Sequence, residues 1–313
     1  MTILRRVREE TRLARREVRQ GRFQRSLSLV AAMSAIVSGF EAYIQHQRGD
    51  FTDPWMWTPV WLTPPTVAAV GASLVSERAA RTLLPAVSIV SLADGVIGFY
   101  SHIRGIRRMP GGFSLGQYNM VMGPPIFAPL LVGTVGVTGL IASMLRRETA
   151  HPLPRSVARL SHAVGLAATD RGVRAVETDV AHGRFQQGMA LTSAAFAILA
   201  GGEAYFEHMR GSYNQRLMWT PVWVTPPMVA AAVASAFSKQ TAQRVLPVAS
   251  AVTFLDGMLG FGLHLRGIYR MPGRFSNLRF NLTMGPPLFA PLLFTAVGLL
   301  GFTASLLKRS QPR

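Results

Sequence analysis

The chain has 313 residues, of which 49% are hydrophobic and only 15% charged, with a mean hydropathy of +0.25 and a net charge of +18. That balance excludes an ordinary soluble domain and predicts apolar surface that faces lipid. The basic residues lie in the N-terminal tail and between apolar runs, which favours an anionic membrane surface and argues against nucleic acid. The lack of cysteine excludes disulfides, thiolate metal ligands and covalent attachment of a c-type haem.

The N-terminal segment carries nine arginines and several glutamates before any apolar run begins. This segment is too long and too charged for a signal peptide, and no small-residue cleavage site closes the apolar run that follows. We interpret residues 1–25 as a retained amphipathic helix at the cytoplasmic face of the membrane.

Eight apolar runs follow, and each approaches the ~20 residues that cross a ~30 Å hydrocarbon layer as a helix. The runs in the first part are 26–45, 59–76, 83–102 and 124–144, and those in the second part are 188–207, 221–237, 245–264 and 286–306. They do not alternate as barrel strands would. The sequence therefore predicts an all-α integral membrane protein with eight transmembrane helices.

The two parts match each other at a constant offset in residue number, without a gap. Gly21-Arg22-Phe23-Gln24 recurs at 183–186, and the Met-Trp-Thr-Pro-Val-Trp segment at 56–61 recurs at 218–223. This match predicts a tandem duplication of a four-helix unit. The resulting boundaries are an N-terminal helix at 1–25, repeats at 26–145 and 188–307, a cytoplasmic linker with a surface helix at 146–187, and a tail at 308–313.

Four spans per repeat give both repeats the same orientation, related by a pseudo-twofold axis along the membrane normal. Lys and Arg number 23 on the side that holds the N-terminus, the central linker and the C-terminus, and 10 on the other side. The positive-inside rule then predicts an inner-membrane protein with both termini in the cytoplasm.

A His-x-Arg-Gly motif ends four of the apolar runs, at His46, His102, His208 and His264. Downstream of each copy, a Pro-Pro pair marks the place where a new run begins. One interpretation is purely structural: His and Arg complement the negative end of the helix dipole, Gly supplies a left-handed cap and proline starts the next helix. That interpretation explains Arg and Gly fully, but His only in part.

Carboxylates within the spans favour a site. Glu41 and Glu203 precede a histidine by five residues, and Asp94 and Asp256 precede one by eight. Charged groups at membrane depth are costly unless they are paired, protonated or face a cavity. If the first and third spans of a repeat pack together, the two histidines and two carboxylates of that repeat would form a polar column from the outer surface inward.

Three chemistries fit such a column. Two histidines from neighbouring helices would ligate a b-type haem, although ligands at a helix end are shallow for haem iron. Histidines with carboxylates would hold a divalent metal such as zinc, iron or copper. A carboxylate and histidine chain would relay protons or bind a cation in a transporter, and prolines at 59, 64, 65 and 129 indicate broken helices that favour a cavity.

The outer loops add positive charge beside the histidines. Arg104, Arg108, Arg266 and Arg270 would form a rim that holds anionic headgroups, haem propionates or an acidic partner protein. Each rim is followed by Met-Pro-Gly, which turn chemistry alone explains. Five tryptophans near the outer interface fit an aromatic belt. Nucleotide-binding loops, Gly-x-Ser-x-Gly and His-Glu-x-x-His are absent from the sequence, which argues against a soluble-enzyme active site.

The leading hypothesis is a membrane subunit of a redox or respiratory assembly, not itself catalytic. Its outer-face histidines would bind haem b or a divalent metal, and its arginine rim would dock a partner protein. The alternatives are a transporter or channel for an ion or small solute that uses Glu41, Asp94, Glu203 and Asp256, and a membrane scaffold whose polar clusters are only structural.

Overall fold

The computed structural model describes residues 22–144 and 183–306, and their side chains from Gln24 onward. Most of these residues are helical, with no strand among them. The N-terminal amphipathic helix predicted at 1–25 and the surface helix predicted within 146–187 lie almost wholly outside the described residues, as does the tail at 308–313.

The first half contains two long helices, two of intermediate length and two short ones. They are α1 (Arg22–Arg48), α2 (Thr58–Val75), α3 (Glu77–Arg81), α4 (Leu83–Arg108), α5 (Gly116–Met122) and α6 (Pro129–Met144). The second half contains α7 (Arg184–Arg210), α8 (Thr220–Phe237), α9 (Lys239–Arg270), α10 (Leu278–Met284) and α11 (Leu292–Leu306). At the constant offset of the two parts, these bounds match those of the first half to within one residue, except that α9 is continuous where α3 and α4 are separate.

Five helical segments within the described residues are long and apolar enough to cross a membrane. They are Gln24–Arg48, Glu77–Arg108, Arg184–Arg210, Arg216–Phe237 and Lys239–Arg270. Pro129–Met144 and Leu292–Leu306 are shorter apolar helices. The fold is that of an all-α, multi-pass membrane protein.

Several helix bounds differ from those that hydropathy predicts. Helices α4 and α9 continue six residues past His102 and His264, ending at Arg108 and Arg270. Helix α6 begins at Pro129 instead of residue 124, and α11 begins at Leu292 instead of residue 286. Hydropathy misplaces these ends because it follows side-chain polarity, whereas a helix ends where its backbone bonding ends.

Two non-helical segments separate the short helices from the apolar helices that follow them. We call residues 123–128 the first break and residues 285–291 the second break. Each begins with Gly-Pro-Pro, and proline both lacks an N–H and excludes the preceding residue from the helical region. The proline pair at 64–65 behaves differently, because α2 continues through it.

Helices α4 and α6 approach each other through small residues. A Cβ atom added at Gly95 would stand 2.5 Å from the backbone nitrogen of Gly133, and one at Gly136 would stand 2.4 Å from the carbonyl oxygen of Ser88. The second half repeats this approach, with Gly257 against Thr295 and Gly298 against Ser250. Such contact between backbones is how helices associate in lipid, where apolar side chains gain little from meeting each other.

The two halves also pack on each other away from the breaks. A buried cluster in the first half includes Leu27, Ala31 and Leu84, and Phe185 of the second half packs against it. A larger cluster in the second half includes Met189, Met228 and Leu246, and Ile141 of the first half packs against that one. Each half therefore contributes a side chain to the core of the other.

Candidate functional site

Two histidines of the first half meet near one end of the helices. His46 lies in the last turn of α1, and its Nδ1 is 2.5 Å from the carbonyl oxygen of Met56. His102 lies in α4, and its Nδ1 is 2.6 Å from the carbonyl oxygen of Pro125 in the first break. The centroids of the two imidazole rings are 6.4 Å apart, and the ring planes are inclined at 69°.

The second half contains the same pair. The Nδ1 atom of His208 is 2.6 Å from the carbonyl oxygen of Met218, and that of His264 is 2.5 Å from the carbonyl oxygen of Pro287. The ring centroids are 6.3 Å apart, and the planes are inclined at 67°. The pairing that the sequence proposes between the first and third spans therefore exists at the level of the histidines.

These contacts define the tautomer of all four imidazoles. A carbonyl oxygen only accepts hydrogen bonds, so each Nδ1 carries a proton and donates it. In a neutral imidazole the Nε2 atom then keeps its lone pair and is the atom that would bind a metal or accept a proton. A histidine held by a bond from Nδ1 to a backbone carbonyl is the usual arrangement of metal-ligating histidines.

The glycines of the His-x-Arg-Gly motifs do not all cap helices. Gly49 follows the end of α1, but the left-handed residues there are Asp50 and Phe51, with φ values of 51° and 48°. Gly105 and its equivalent Gly267 lie inside helices, where a Cβ atom would stand 3.1 and 3.0 Å from the ring of a break proline. None of the four glycines is left-handed, so that part of the capping interpretation is wrong for every copy. Gly105 and Gly267 instead provide room for Pro124 and Pro286.

The two glutamates bind the opposite half of the molecule. A carboxylate oxygen of Glu41 accepts a hydrogen bond from the backbone N–H of Phe289, with an N···O distance of 2.9 Å, and the other accepts from Gln45 at 2.6 Å. The carboxylate of Glu203 accepts from the backbone N–H of Phe127 at 2.7 Å. Each glutamate thus holds a backbone group of the other half's break.

The two aspartates stay with the histidines of their own half. Asp94 is half-buried beside the hydroxyl group of Thr58 and the ring of His46. Asp256 is half-buried beside the hydroxyl group of Thr220. No group of three or more His, Asp or Glu side chains within the described residues is close enough to hold a metal ion.

A cavity of about 1090 Å³ is lined mainly by the second half, including both of its histidines, and also by Arg48 and Leu131 of the first half. Asp256 and Glu203 also line the cavity, together with Arg266 and Arg270, which are exposed. Arg104, the equivalent of Arg266 in the first half, is exposed on α4. The structure therefore brings histidine, carboxylate and arginine together around one space in the second half.

Two further arginines have a role that the sequence does not reveal. Arg48 donates hydrogen bonds to the carbonyl oxygens of Thr283 and Gly285. Arg210 donates to those of Val121 and Gly123, at 2.7 and 2.6 Å. The structural interpretation of the motif assigns both side chains to the end of their own helix, but they cap the short helices α10 and α5 of the opposite half. Nothing in the local sequence signals a partner that lies in the other half of the chain.

Stacked aromatic rings adjoin each histidine pair. Phe51 stacks on Trp57 with centroids 3.8 Å apart, and Tyr213 stacks on Trp219 at 3.9 Å. The Tyr213 hydroxyl donates to the carbonyl oxygen of Tyr205 at 3.0 Å. Burial, together with the nearby phenol group of Tyr205, raises the pKa of Tyr213 to about 12. Trp61 and Trp223, next in each stack, are about two-thirds exposed at 64% and 65%, as an aromatic belt requires.

The Met-Pro-Gly loops are closed by one buried asparagine each. The amide nitrogen of Asn119 donates to the carbonyl oxygens of Pro110 and Gly112, at 3.0 and 2.7 Å. Asn281 makes the equivalent pair of hydrogen bonds in the second half. These loops are turns, in agreement with their composition.

Comparison of the chain with protein-family models, curated proteins and solved structures gives no match.

Proposed function

We propose that the protein is a haem-b-binding membrane subunit of a redox assembly, with one haem held by each histidine pair. The observation that carries this proposal is the repeated geometry of the pairs. All four imidazoles donate Nδ1–H to a backbone carbonyl, which leaves four Nε2 atoms, two per half, to serve as ligands.

The number of ligands supports haem over a metal ion alone. The two imidazoles of each pair, whose ring centroids are 6.4 and 6.3 Å apart, would hold a haem iron without a further protein ligand. A divalent metal would need a third protein ligand or more, and the described residues offer no such group. The metal hypothesis therefore has less support.

The surroundings of the second pair also suit haem. His264 lies six residues before the end of α9 at Arg270, which places it about 9 Å inside the helix. Its partner His208 lies in the last turn of α7, so the objection that ligands at a helix end are shallow still holds for that ligand. Arg266 and Arg270 line the same cavity, where they would pair with propionates. Exposed arginines at this end would also meet anionic headgroups and an acidic partner protein that exchanges electrons with the haems.

For the membrane arrangement we propose eight spans formed by tandem duplication of a four-helix unit. The helix bounds that recur from the first half to the second support the duplication. The short helices α5 and α10, with the breaks and the helices that follow, would complete the fourth and eighth spans as discontinuous helices. Both termini would lie in the cytoplasm of a bacterial-type inner membrane, and the histidine pairs would lie near the outer face.

An absorption spectrum of the protein purified from haem-sufficient cells tests this function. We expect a Soret band, a reduced spectrum of the b type and two haems per chain. The double variant His46→Ala with His102→Ala should retain one haem, as should His208→Ala with His264→Ala, and the quadruple variant should retain none. Replacement of His151 and His162, which lie between the halves, is the control and should leave two. A folded protein without a Soret band would refute the proposal.

A transporter for an ion or small solute is the second candidate, because a specific observation favours it. The second break borders the 1090 Å³ cavity together with Asp256 and Glu203, and unwound backbone beside carboxylates at a cavity is typical of transporter binding sites. In proteoliposomes with an imposed proton or sodium gradient, wild-type flux should be lost in Asp94→Asn with Asp256→Asn. Equal flux in empty liposomes, wild type and all variants would eliminate transport of these ions. If the protein shows neither haem nor flux, the scaffold hypothesis is the one that remains.

A further inference from the structure

Both breaks are held from two sides at once. In the first break the carbonyl oxygen of Pro125 accepts the Nδ1–H of His102, from the same half. Two residues away on either side, the N–H of Phe127 donates to Glu203 and the carbonyl oxygen of Gly123 accepts from Arg210, both from the opposite half. Five residues of backbone thus connect a histidine of one half to an anion and a cation of the other.

The second break has the same three attachments with the halves exchanged. The carbonyl oxygen of Pro287 accepts from His264 at 2.5 Å. The N–H of Phe289 donates to Glu41 at 2.9 Å, and the carbonyl oxygen of Gly285 accepts from Arg48. The arrangement is reciprocal, as in an interface between two copies related by a twofold axis.

The breaks are suited to fixing a side chain in place. The proline rings at 124 and 125 fix two successive φ angles, so the segment has little internal freedom. Gly123 is enclosed as well, because a Cβ atom there would stand 2.4 Å from the carbonyl oxygen of Asn119 and 2.8 Å from the sulfur of Met109. A displacement at Phe127 or Gly123 therefore moves the carbonyl oxygen that orients His102.

We propose that Glu203 and Arg210 are positioning residues for His102 across the interface between the halves, and that Glu41 and Arg48 are positioning residues for His264. Each histidine pair is then completed by the opposite half. The naming of haem as the ligand rests on the proposed function, whereas the positioning itself does not.

The same helices carry ligands and positioning residues. Helix α7 contains His208 of the second pair, and it also contains Glu203 and Arg210, which hold the first break. Helix α1 contains His46 together with Glu41 and Arg48, which hold the second break. Each of these two helices therefore serves both pairs, through different residues.

Two variants, Glu203→Ala and Glu41→Ala, test the proposal in proteins that each keep only one histidine pair. One background keeps only the first pair (His208→Ala with His264→Ala), and the other keeps only the second pair (His46→Ala with His102→Ala). Glu203→Ala should weaken haem binding at the first pair by about 10- to 100-fold, the range for loss of a group that orients a metal ligand, and shift its reduction potential. Glu41→Ala should have these effects at the second pair. Glu41→Ala should leave the first pair within a few-fold of its background, and Glu203→Ala should weaken the first pair more than the second, whose cavity Glu203 also lines.

The conservative variant Glu203→Gln separates positioning from a loss of stability. The glutamine carbonyl oxygen still accepts the hydrogen bond from Phe127, so haem affinity at the first pair should return to within a few-fold of the background. If Glu203→Ala does not fold, Arg210→Gln provides the same comparison through Gly123. An effect of Glu203→Ala that falls on the second pair, or equally on both, would overturn the proposal.

Amide hydrogen exchange gives a result that does not depend on haem. Glu203→Ala should accelerate exchange in the first break, at Phe127, and leave Phe289 in the second break unchanged, whereas Glu41→Ala should do the reverse. If each variant accelerates exchange only in the break that its glutamate holds and no haem binds, the positioning stands and the proposed function fails. If haem binds but the variants do not accelerate exchange selectively in these breaks, the proposed function stands and the positioning fails.

Discussion

The carboxylate of Glu203 accepts a hydrogen bond from the backbone N–H of Phe127, 2.7 Å away, although 76 residues of chain separate them. Glu41 and Phe289 make the equivalent contact in the opposite direction. A buried N–H that loses its acceptor costs about 1–3 kcal/mol, so the breaks depend on these glutamates. Neither half satisfies the backbone of its own break by itself, and the two halves therefore form one structural unit.

Arg210→Lys should destabilise the protein by about 1–3 kcal/mol, because lysine lacks the planar fork that donates to two carbonyl oxygens at once. A single ammonium nitrogen would have to reach both Val121 and Gly123, whose carbonyl oxygens the guanidinium reaches through two separate nitrogens. The measurement is thermal unfolding in detergent micelles.

Arg266→Lys is the control for that substitution, because Arg266 is exposed and both side chains keep their charge in water. Its unfolding temperature should stay within the error of the wild type. Equal unfolding temperatures for Arg210→Lys and the wild type would show that the cross-half hydrogen bonds contribute nothing to stability.

Gly95→Ala should destabilise the packing of α4 on α6 by about 1–3 kcal/mol, the usual cost of overpacking. The added methyl group would stand 2.5 Å from the backbone nitrogen of Gly133, and a backbone atom cannot rotate away as a side chain does. Gly71→Ala is the matched control, because nothing lies within 4 Å of a Cβ atom there. Since alanine is the better helix former, Gly71→Ala should be neutral or up to about 1 kcal/mol more stable. The prediction fails if the two variants unfold at the same temperature.

Asn119→Ala should loosen the Met-Pro-Gly loop, because the carbonyl oxygens of Pro110 and Gly112 lose their shared donor. We expect a loss of about 1–3 kcal/mol and faster proteolysis between residues 109 and 116. Asn214→Ala is the control, because Asn214 is exposed on a loop. Unchanged proteolysis of the Asn119 variant would show that the turn holds without its asparagine.

The membrane class can be predicted from the sequence, because hydropathy reports it directly. The pairing of His46 with His102 follows from the sequence only if the first and third spans are assumed to pack together. The sequence predicts the breaks only in part. The Pro-Pro pair at 124 and 125 breaks a helix, whereas the identical pair at 64 and 65 lies inside α2. The first of these pairs follows Gly123, which fits closely against Met109, and such a contact is set by the fold and not by local composition.

The direction in which a side chain points is not predictable either. Glu41 precedes His46 by five residues, and the sequence places it in a column with that histidine only on the assumption that the first and third spans pack together. Its carboxylate instead binds Phe289, 248 residues away. A contact between the halves leaves no trace in the spacing within one half. The constant offset between the halves predicts only that each such contact has an equivalent. The contact of Glu203 with Phe127 is the equivalent of that of Glu41 with Phe289.

The orientation of the halves in the membrane gives the last prediction, and the absence of native cysteine makes it easy to measure. Single cysteines replace exposed residues at the two ends of the helices: Ser114 and Ser276 beside the Met-Pro-Gly loops, and Arg78 and Gln240 at the opposite ends. With a membrane-impermeant maleimide applied to intact spheroplasts, Ser114→Cys and Ser276→Cys should be labelled. Arg78→Cys and Gln240→Cys should react only after permeabilisation, because the positive-inside rule places them in the cytoplasm. The reverse labelling pattern would show that the protein has the opposite orientation in the membrane. Labelling of Ser114→Cys and Ser276→Cys from opposite sides would refute the parallel arrangement of the halves.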